Sequence, residues 1–226
     1  MYQNYLKRVF DFCCALLALI ILSPFLLIFM ILGAVFMGGN PFFTQPRPGK
    51  NEKIFKLIKF RTMDNRKGAD GELLPDDVRL NGYGKFLRTT SVDELPELIN
   101  IVKGDMAVIG PRPQLVRDMV FMSPEQRRRH SVRPGLSGLA QVNGRNVITW
   151  EDKFSWDLKY IKKITFLGDV KIILKTIAKV FKRADINREG TASDMDFGDY
   201  LLEKGAVSKE EYEKKQVEAK ELLRRG

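Results

Sequence analysis

The hydropathy pattern is dominated by its start: from Phe12 to Met37 every side chain is apolar except that of Ser23. A run of about 26 residues exceeds the roughly 20 that cross a hydrocarbon core, so it predicts a membrane-associated helix. A secretory leader matches poorly, because leaders carry only ~7–15 apolar residues and no A-x-A-like cleavage site follows here. Ser23-Pro24 sits near the midpoint. Proline lacks an N–H and presses its ring on the carbonyl four residues back, that of Ile20, which kinks or breaks a helix. The Ser23 hydroxyl is placed to bond the freed backbone. Two geometries follow: a kinked span, or two halves of about 12–13 residues, each roughly 18–20 Å long, that enter one leaflet and return. Lys7 and Arg8 precede the run, and Arg47, Lys50, Lys53, Lys56, Lys59 and Arg61 follow it. Basic flanks on both sides favour the re-entrant helix–break–helix over a span, which carries its basic excess on one side.

After Gly38-Gly39-Asn40-Pro41 the period changes. Phe42-Phe43-Thr44, a turn over residues 46–51 and the alternating stretch 54–60 predict a β-hairpin. Residues 64–83 are polar and glycine-rich and predict a surface loop. Helices are predicted over residues 92–102, 125–132, 150–161 and 170–181. In the last, Lys171, Lys175, Lys179 and Lys182 recur opposite Ile172, Ile173, Ile177, Val180 and Phe181. With Trp150, Trp156, Tyr160 and Phe166 upstream, this predicts a basic amphipathic helix in the membrane interface, with a surface helix packed on the core as the alternative. A small, polar linker follows over residues 184–199. The C-terminus then predicts a short helix from Tyr200, a Gly205 stop and a second helix opened by the capping box Ser208-Lys209-Glu210-Glu211. The expected organisation is a membrane hairpin (1–40), a catalytic domain (41–183), a linker (184–199) and a C-terminal helical hairpin (200–226). The expected fold class is α+β, mainly helical, with the β-hairpin and interfacial helices around a small globular domain.

Length and charge narrow the chemistry. The chain of 226 residues has room for one cored domain and a small appendage. Its 38 Lys and Arg against 28 Asp and Glu give a net charge of +10, which calls for an anionic partner: nucleic acid, an anionic membrane or a phosphorylated substrate. No RNA- or DNA-binding motif accompanies that charge, so nucleic acid is not expected. The single histidine, His130, excludes a multi-His metal site and argues against a His-based triad. Cys13 and Cys14, adjacent in the apolar run, build no disulfide framework and fit a reducing compartment. Carboxylates, Arg and Lys are left to carry any catalysis.

Two constellations offer that chemistry. Asp93 and Glu94 read in two ways. Ser91-Val92-Asp93-Glu94 fits a capping box with acids in a favourable first turn. Pro96 would then lie inside that helix, so the helix either starts at Asp93 or kinks beside two adjacent carboxylates. Such a pair suits a magnesium ion, or a nucleophile next to a metal ligand. Basic residues also stand in unusual turn contexts: Lys59-Phe60-Arg61-Thr62, Gly110-Pro111-Arg112-Pro113, Arg133-Pro134-Gly135 and Asn143-Gly144-Arg145. A guanidinium held by such a turn suits bidentate phosphate recognition; each taken alone also reads as a solvated turn residue. No P-loop or dinucleotide fingerprint is present.

Taken together, these motifs resemble the bacterial sugar transferase family, the monotopic phosphoglycosyl transferases that act on polyprenyl phosphate. The resemblance runs from about Tyr5 to about Gly190. It rests on Ser23-Pro24, Gln45-Pro46-Arg47-Pro48-Gly49, Lys59-Phe60-Arg61-Thr62-Met63, Asp93-Glu94-Leu95-Pro96, Lys103-Gly104-Asp105-Met106, Gly110-Pro111-Arg112-Pro113, and Arg133-Pro134-Gly135 leading to Gln141-Val142-Asn143-Gly144-Arg145. The chain looks like the small members of the family, with an added C-terminal hairpin similar to the SHOCT-type tail. The resemblance implies Asp93 as nucleophile and Glu94 as its dyad partner, with Mg²⁺ bridging the pair and the diphosphate. It implies Lys59, Arg61, Arg88, Arg112 and Arg145 as phosphate-binding residues. The implied partners are a UDP-sugar, polyprenyl (undecaprenyl) phosphate and membrane lipid, with UMP released on the cytoplasmic face of a bacterial inner membrane. The C-terminal hairpin is expected to join a second copy or another protein. The competing reading is a non-catalytic basic membrane anchor with a C-terminal protein-binding module.

Overall fold

The computed structural model describes residues 2–144, 148–182 and 195–225. A short π-helical turn, Tyr2–Leu6, leads into α1 (Lys7–Phe36). The strands β1 (Phe42–Pro48) and β2 (Ile54–Phe60) form an antiparallel hairpin with Phe42 opposite Phe60 and Pro48 opposite Ile54. There follow α2 (Asp76–Arg79), α3 (Gly82–Thr90), a 3₁₀ turn (Val92–Glu94), α4 (Glu97–Lys103), β3 (Ala107–Ile109), α5 (Val116–Met119) and α6 (Pro124–Arg127). A second 3₁₀ turn (Arg128–Ser131), β4 (Gly135–Ser137), α7 (Leu139–Val142), α8 (Trp150–Lys162), α9 (Phe166–Lys182), α10 (Phe197–Glu203) and α11 (Lys209–Arg225) complete the order. The fold is thus mainly helical with a short β-hairpin, as expected.

Several expectations change in detail. The turn expected over 46–51 is shorter, because Pro46, Arg47 and Pro48 continue β1. In a two-stranded sheet every strand is an edge, and an edge strand tolerates residues without an N–H. The polar stretch 64–83 contains α2 and the start of α3, which is capped by the Asn81 side chain accepting from the Gly84 N–H. The helix expected over 92–102 is divided into the 3₁₀ turn and α4, with Pro96 as the N-cap of α4. The expected helix over 125–132 is α6 followed by 3₁₀. The linker expected to reach residue 199 stops earlier, since α10 starts at Phe197; residues 184–194 lie outside the described residues.

The helix α1 runs without interruption through Pro24, where the sequence predicts a break between two helices. The Ser23 hydroxyl donates to the Ile20 carbonyl at 2.8 Å and satisfies the group that proline leaves without its partner. Along its length α1 lies against one body. Its first half packs Ala15, Ala18, Leu19 and Leu22 on Leu57, Leu98, Ile101 and Met106. In its second half the Phe29 carbonyl accepts from the Tyr83 hydroxyl at 2.7 Å, and the Phe36 ring stacks on Tyr83 with centroids 5.2 Å apart. The basic flank ahead of it is not free: Lys7 is buried and donates to Asp169 at 2.7 Å, while Arg8 donates to the Ile101 and Val102 carbonyls at the C-terminal end of α4. Asp169 also accepts from Tyr2 and Tyr160, which ties α1 to α8 and α9. The outward face of α1, with Leu17, Ile20, Ile21, Phe25, Ile28 and Val35, stays exposed.

His130 is buried, with Nδ1 3.2 Å from Glu52 Oε1 and Nε2 without a partner. Burial, reinforced by Arg129, pulls its pKa down to about 4. A histidine in the unfolded chain titrates near ~6.5. Between those values the unfolded state binds a proton that the folded state refuses, so stability falls as pH falls through the window. The expected loss from this group is about 2 kcal/mol at pH 5, at roughly 1.4 kcal/mol per pH unit. Thermal midpoints of wild type and His130→Gln at pH 7 and pH 5 check this: the variant should show the smaller drop, and equal drops would contradict it.

Candidate active site

Two parallel strands and one helix converge where the carboxylates stand. The pairing of β3 with β4 brings Gly110 against Gly135 so closely that a Cβ on Gly135 would lie 2.0 Å from the Gly110 nitrogen. That contact fixes the turn Gly110-Pro111-Arg112-Pro113. The Arg112 carbonyl is held by the buried Arg129, itself paired with Asp157 at 2.6 Å. On the other side, α4 is stitched to β2 by Asn100, whose Oδ1 accepts from the Ile58 N–H and whose Nδ2 donates to the Lys56 carbonyl. This directs Lys59 towards the start of α4.

Between them lies the 3₁₀ turn with Asp93 and Glu94. Ser91 enters it at φ 56, in the left-handed region, and makes no side-chain cap. The capping-box reading of these acids is therefore not what the chain adopts. A non-glycine residue in that conformation stores about 1 kcal/mol or more, a cost concentrated at functional turns. Glu94 Oε1 accepts from Lys59 at 2.9 Å and from Arg112 at 2.7 Å, and no hydrogen bond from the described residues reaches Oε2. Lys59 also reaches Glu97 at 3.1 Å. Arg88 anchors its Nε on Thr62 at 3.1 Å and adds positive potential at Asp93. Asp93 accepts no hydrogen bond from the described residues.

The electrostatics separate the two acids. Burial works against the Glu94 charge, but Arg112 and Lys59 outweigh it and hold Glu94 well below the usual carboxylate range. Burial and then the Glu94 charge push Asp93 up to about 6. Burial also acts first on Glu97, which rises to about 7 although Lys59 opposes the shift. The Lys59 ammonium loses by burial and gains more from Glu94 and Glu97, so its pKa rises. One carboxylate is thus clamped as an anion and its neighbour keeps its lone pairs unused, which is the state an oxygen nucleophile needs.

Of the residues singled out from sequence, Asp93, Glu94, Lys59, Arg88 and Arg112 come together. Arg61 turns to the Phe42 carbonyl of β1 at 3.4 Å instead. Arg145 lies outside the described residues. Two members were missed. Glu97 hides in an ordinary first helical turn, and its signal is only a third acid directly after Pro96. Arg47, inside a motif but assigned no role, donates to Gln45 and to the Pro113 carbonyl beside Arg112; burial and Arg112 lower its pKa to about 10. The described residues hold no group of three His, Cys, Asp or Glu side chains able to cage a metal. The open oxygens of Asp93 and Glu94 do fit Mg²⁺ as it is usually bound, by one or two carboxylates with substrate phosphates completing its coordination.

The model of the family described as bacterial sugar transferase matches residues 2–183. The chain is similar to an uncharacterized sugar transferase, EpsL, of Bacillus subtilis, at 44% identity over 175 residues covering 77% of this chain and 87% of that protein. It is similar to the exopolysaccharide production protein ExoY of Sinorhizobium fredii, at 37% identity with 77% and 84% coverage. The undecaprenyl-phosphate galactose phosphotransferase of Salmonella typhimurium is 35% identical over 81% of this chain, which spans 42% of that longer protein.

Proposed function

The chain belongs to the bacterial sugar transferase family, and from that membership we propose that it transfers a sugar phosphate from a UDP-sugar to polyprenyl phosphate through a phosphosugar held covalently on Asp93. The observation that carries this reading is the Asp93 carboxylate, which accepts no hydrogen bond from the described residues, beside a Glu94 clamped by Lys59 and Arg112. An Asp93 oxygen attacks the phosphorus that bears the sugar. The bond from that phosphorus to the bridging oxygen breaks, and UMP leaves with the electron pair. A phosphate oxygen of the lipid then attacks the same phosphorus, the bond to Asp93 breaks, and the carboxylate is regenerated with the sugar now on a polyprenyl diphosphate. Arg112, anchored on Glu94 through one nitrogen, has donors left for the phosphates, and Arg88 adds charge at the same place. Asp93 and Glu94 would hold Mg²⁺, which would supply charge neutralisation to the diphosphate. A non-catalytic anchor has no use for this pair, so that reading is not favoured.

The membrane placement belongs to the same proposal. Both halves of α1 pack on the body that carries the site, while its outer face stays apolar and exposed. We place this uninterrupted helix along one leaflet, its apolar outer face in the lipid and both ends on the cytoplasmic side of the inner membrane, rather than spanning. The α9 surface supports this. Ile172 is buried on the core, whereas Leu174, Ile177 and Val180 are exposed among its lysines, as an interfacial helix requires. Gln3→Cys, in a chain with Cys13 and Cys14 replaced by alanine, tests the topology. A membrane-impermeant thiol reagent applied to intact cells should leave position 3 unlabelled; labelling from outside would show a span.

The functional test is UMP release from a panel of UDP-sugars with undecaprenyl phosphate. UDP-galactose comes first, because a relative's name includes galactose. Release dependent on the lipid is expected for at least one sugar, and its absence across the panel would overturn the proposal.

A further inference from the structure

The family match ends at residue 183, yet the C-terminal helices reach back towards the site. The helix α10 ends in a Schellman turn, with Gly205 at φ +67 and the Ala206 N–H bonded to the Leu201 carbonyl, and α11 then folds over α5. Phe197 is 3% exposed and packs its ring 5.2 Å from Trp150 and 5.0 Å from Phe154. Its N–H donates to the buried Asp118 at 2.8 Å. Ala219 and Leu222 of α11 cover Val116, Met119 and Val120, and Lys215 caps the Val120 carbonyl at 2.7 Å. Arg117 forks outward to Asp196 at 3.1 Å and to Asp199 and Tyr212. The C-terminal hairpin, expected from the sequence to join a second copy or another protein, thus packs Ala219 and Leu222 on the chain's own α5.

A helix of four residues such as α5 has no stability of its own. It begins four residues after Arg112, with Pro113 between, and the Pro113 carbonyl is held by Arg47 at 3.3 Å. We infer that the C-terminal hairpin is a positioning element for Arg112: by fixing α5 it keeps the Arg112 guanidinium on Glu94 and aimed at the donor phosphates. The inference rests on the proposed role of Arg112 in phosphate binding. Arg117 and Tyr212 are positioning residues in this scheme, acting through α5 and touching no substrate.

The test uses the full chain in lipid nanodiscs and two variants, Arg117→Gln and the milder Tyr212→Phe, which removes one hydroxyl. Hydrogen exchange of the backbone over residues 112–122 reads the brace directly. It should quicken in both variants while exchange in α8 stays as in wild type. Turnover reads the consequence: Arg117→Gln should lower kcat for UMP release about tenfold, a loss typical of a slight misplacement near the chemistry. In an Arg112→Lys background the same change should cost little more, because coupled residues are not additive. Unchanged exchange over 112–122 in both variants, or full additivity with Arg112→Lys, overturns the inference. A wild type that releases no UMP from any UDP-sugar would instead count against the proposed function, and the exchange measurement would still decide whether the hairpin braces α5.

Discussion

Asp93→Asn is expected to cut UMP release by at least about 10⁴-fold, the scale seen when a covalent nucleophile is removed from an otherwise intact site. The argument is chemical and local. An amide keeps the shape of the carboxylate but offers no anionic oxygen to attack phosphorus. Asp93 accepts no hydrogen bond from the described residues, so the change removes none of theirs. Its charge sits in a buried place next to Glu94, which pushes its pKa up to about 6. A carboxyl whose pKa rises on folding takes stability away once ionised above that value, so the neutral variant should melt at the same temperature as wild type or higher at pH 7. Activity loss without a melting loss is the signature of a nucleophile. A variant that melts well below wild type, or that keeps a tenth of the activity, would speak against the role.

The second large effect concerns Arg112. Its Nη2 lies 2.7 Å from Glu94 while 39% of its side chain remains exposed. Lysine preserves the charge but offers a single point contact where the guanidinium offers a planar fork, so it serves Glu94 or a phosphate and not both in the same geometry. Partial exposure moderates the cost, and Arg112→Lys should lower kcat by roughly tenfold to a hundredfold, as for loss of one donor to a developing charge. Because Glu94 loses part of its clamp as well, the loss should be in kcat more than in KM for the UDP-sugar. Wild-type kinetics in Arg112→Lys would return Arg112 to an ordinary surface turn.

What could be read from the residues was mostly local. The Ser23 bond to Ile20, the interval of α8, the basic stripe of α9 and the Gly205 turn before α11 all depend on neighbours within about a turn of helix, and each appears close to its expected place. The turn that holds Arg112 was legible because Pro and Gly restrict the backbone whatever surrounds them, and the strand that carries Lys59 was legible from its alternation. The misreadings depend on distant partners. Lys7 and Arg8 look like a basic membrane flank, but their charges are spent on Asp169 and on the end of α4, more than 90 residues away. The pairing of β3 with β4 has only three residues per strand and no periodicity to announce it. Arg61 shares a motif with Lys59 but lies just past the end of β2, and its guanidinium turns back to the Phe42 carbonyl. Glu97 joins the site only because Asn100 docks α4 on β2, a contact that no local pattern encodes.

The central claim is a covalent phosphosugar on Asp93, and intact-mass analysis of the protein after incubation with a turned-over UDP-sugar, Mg²⁺ and no lipid acceptor tests it most directly. The account predicts that wild type gains the mass of one sugar phosphate, that undecaprenyl phosphate removes this gain, and that Asp93→Asn shows none. A sugar-phosphate adduct in Asp93→Asn, or lipid-dependent turnover by a wild type that never gains the mass, would contradict it.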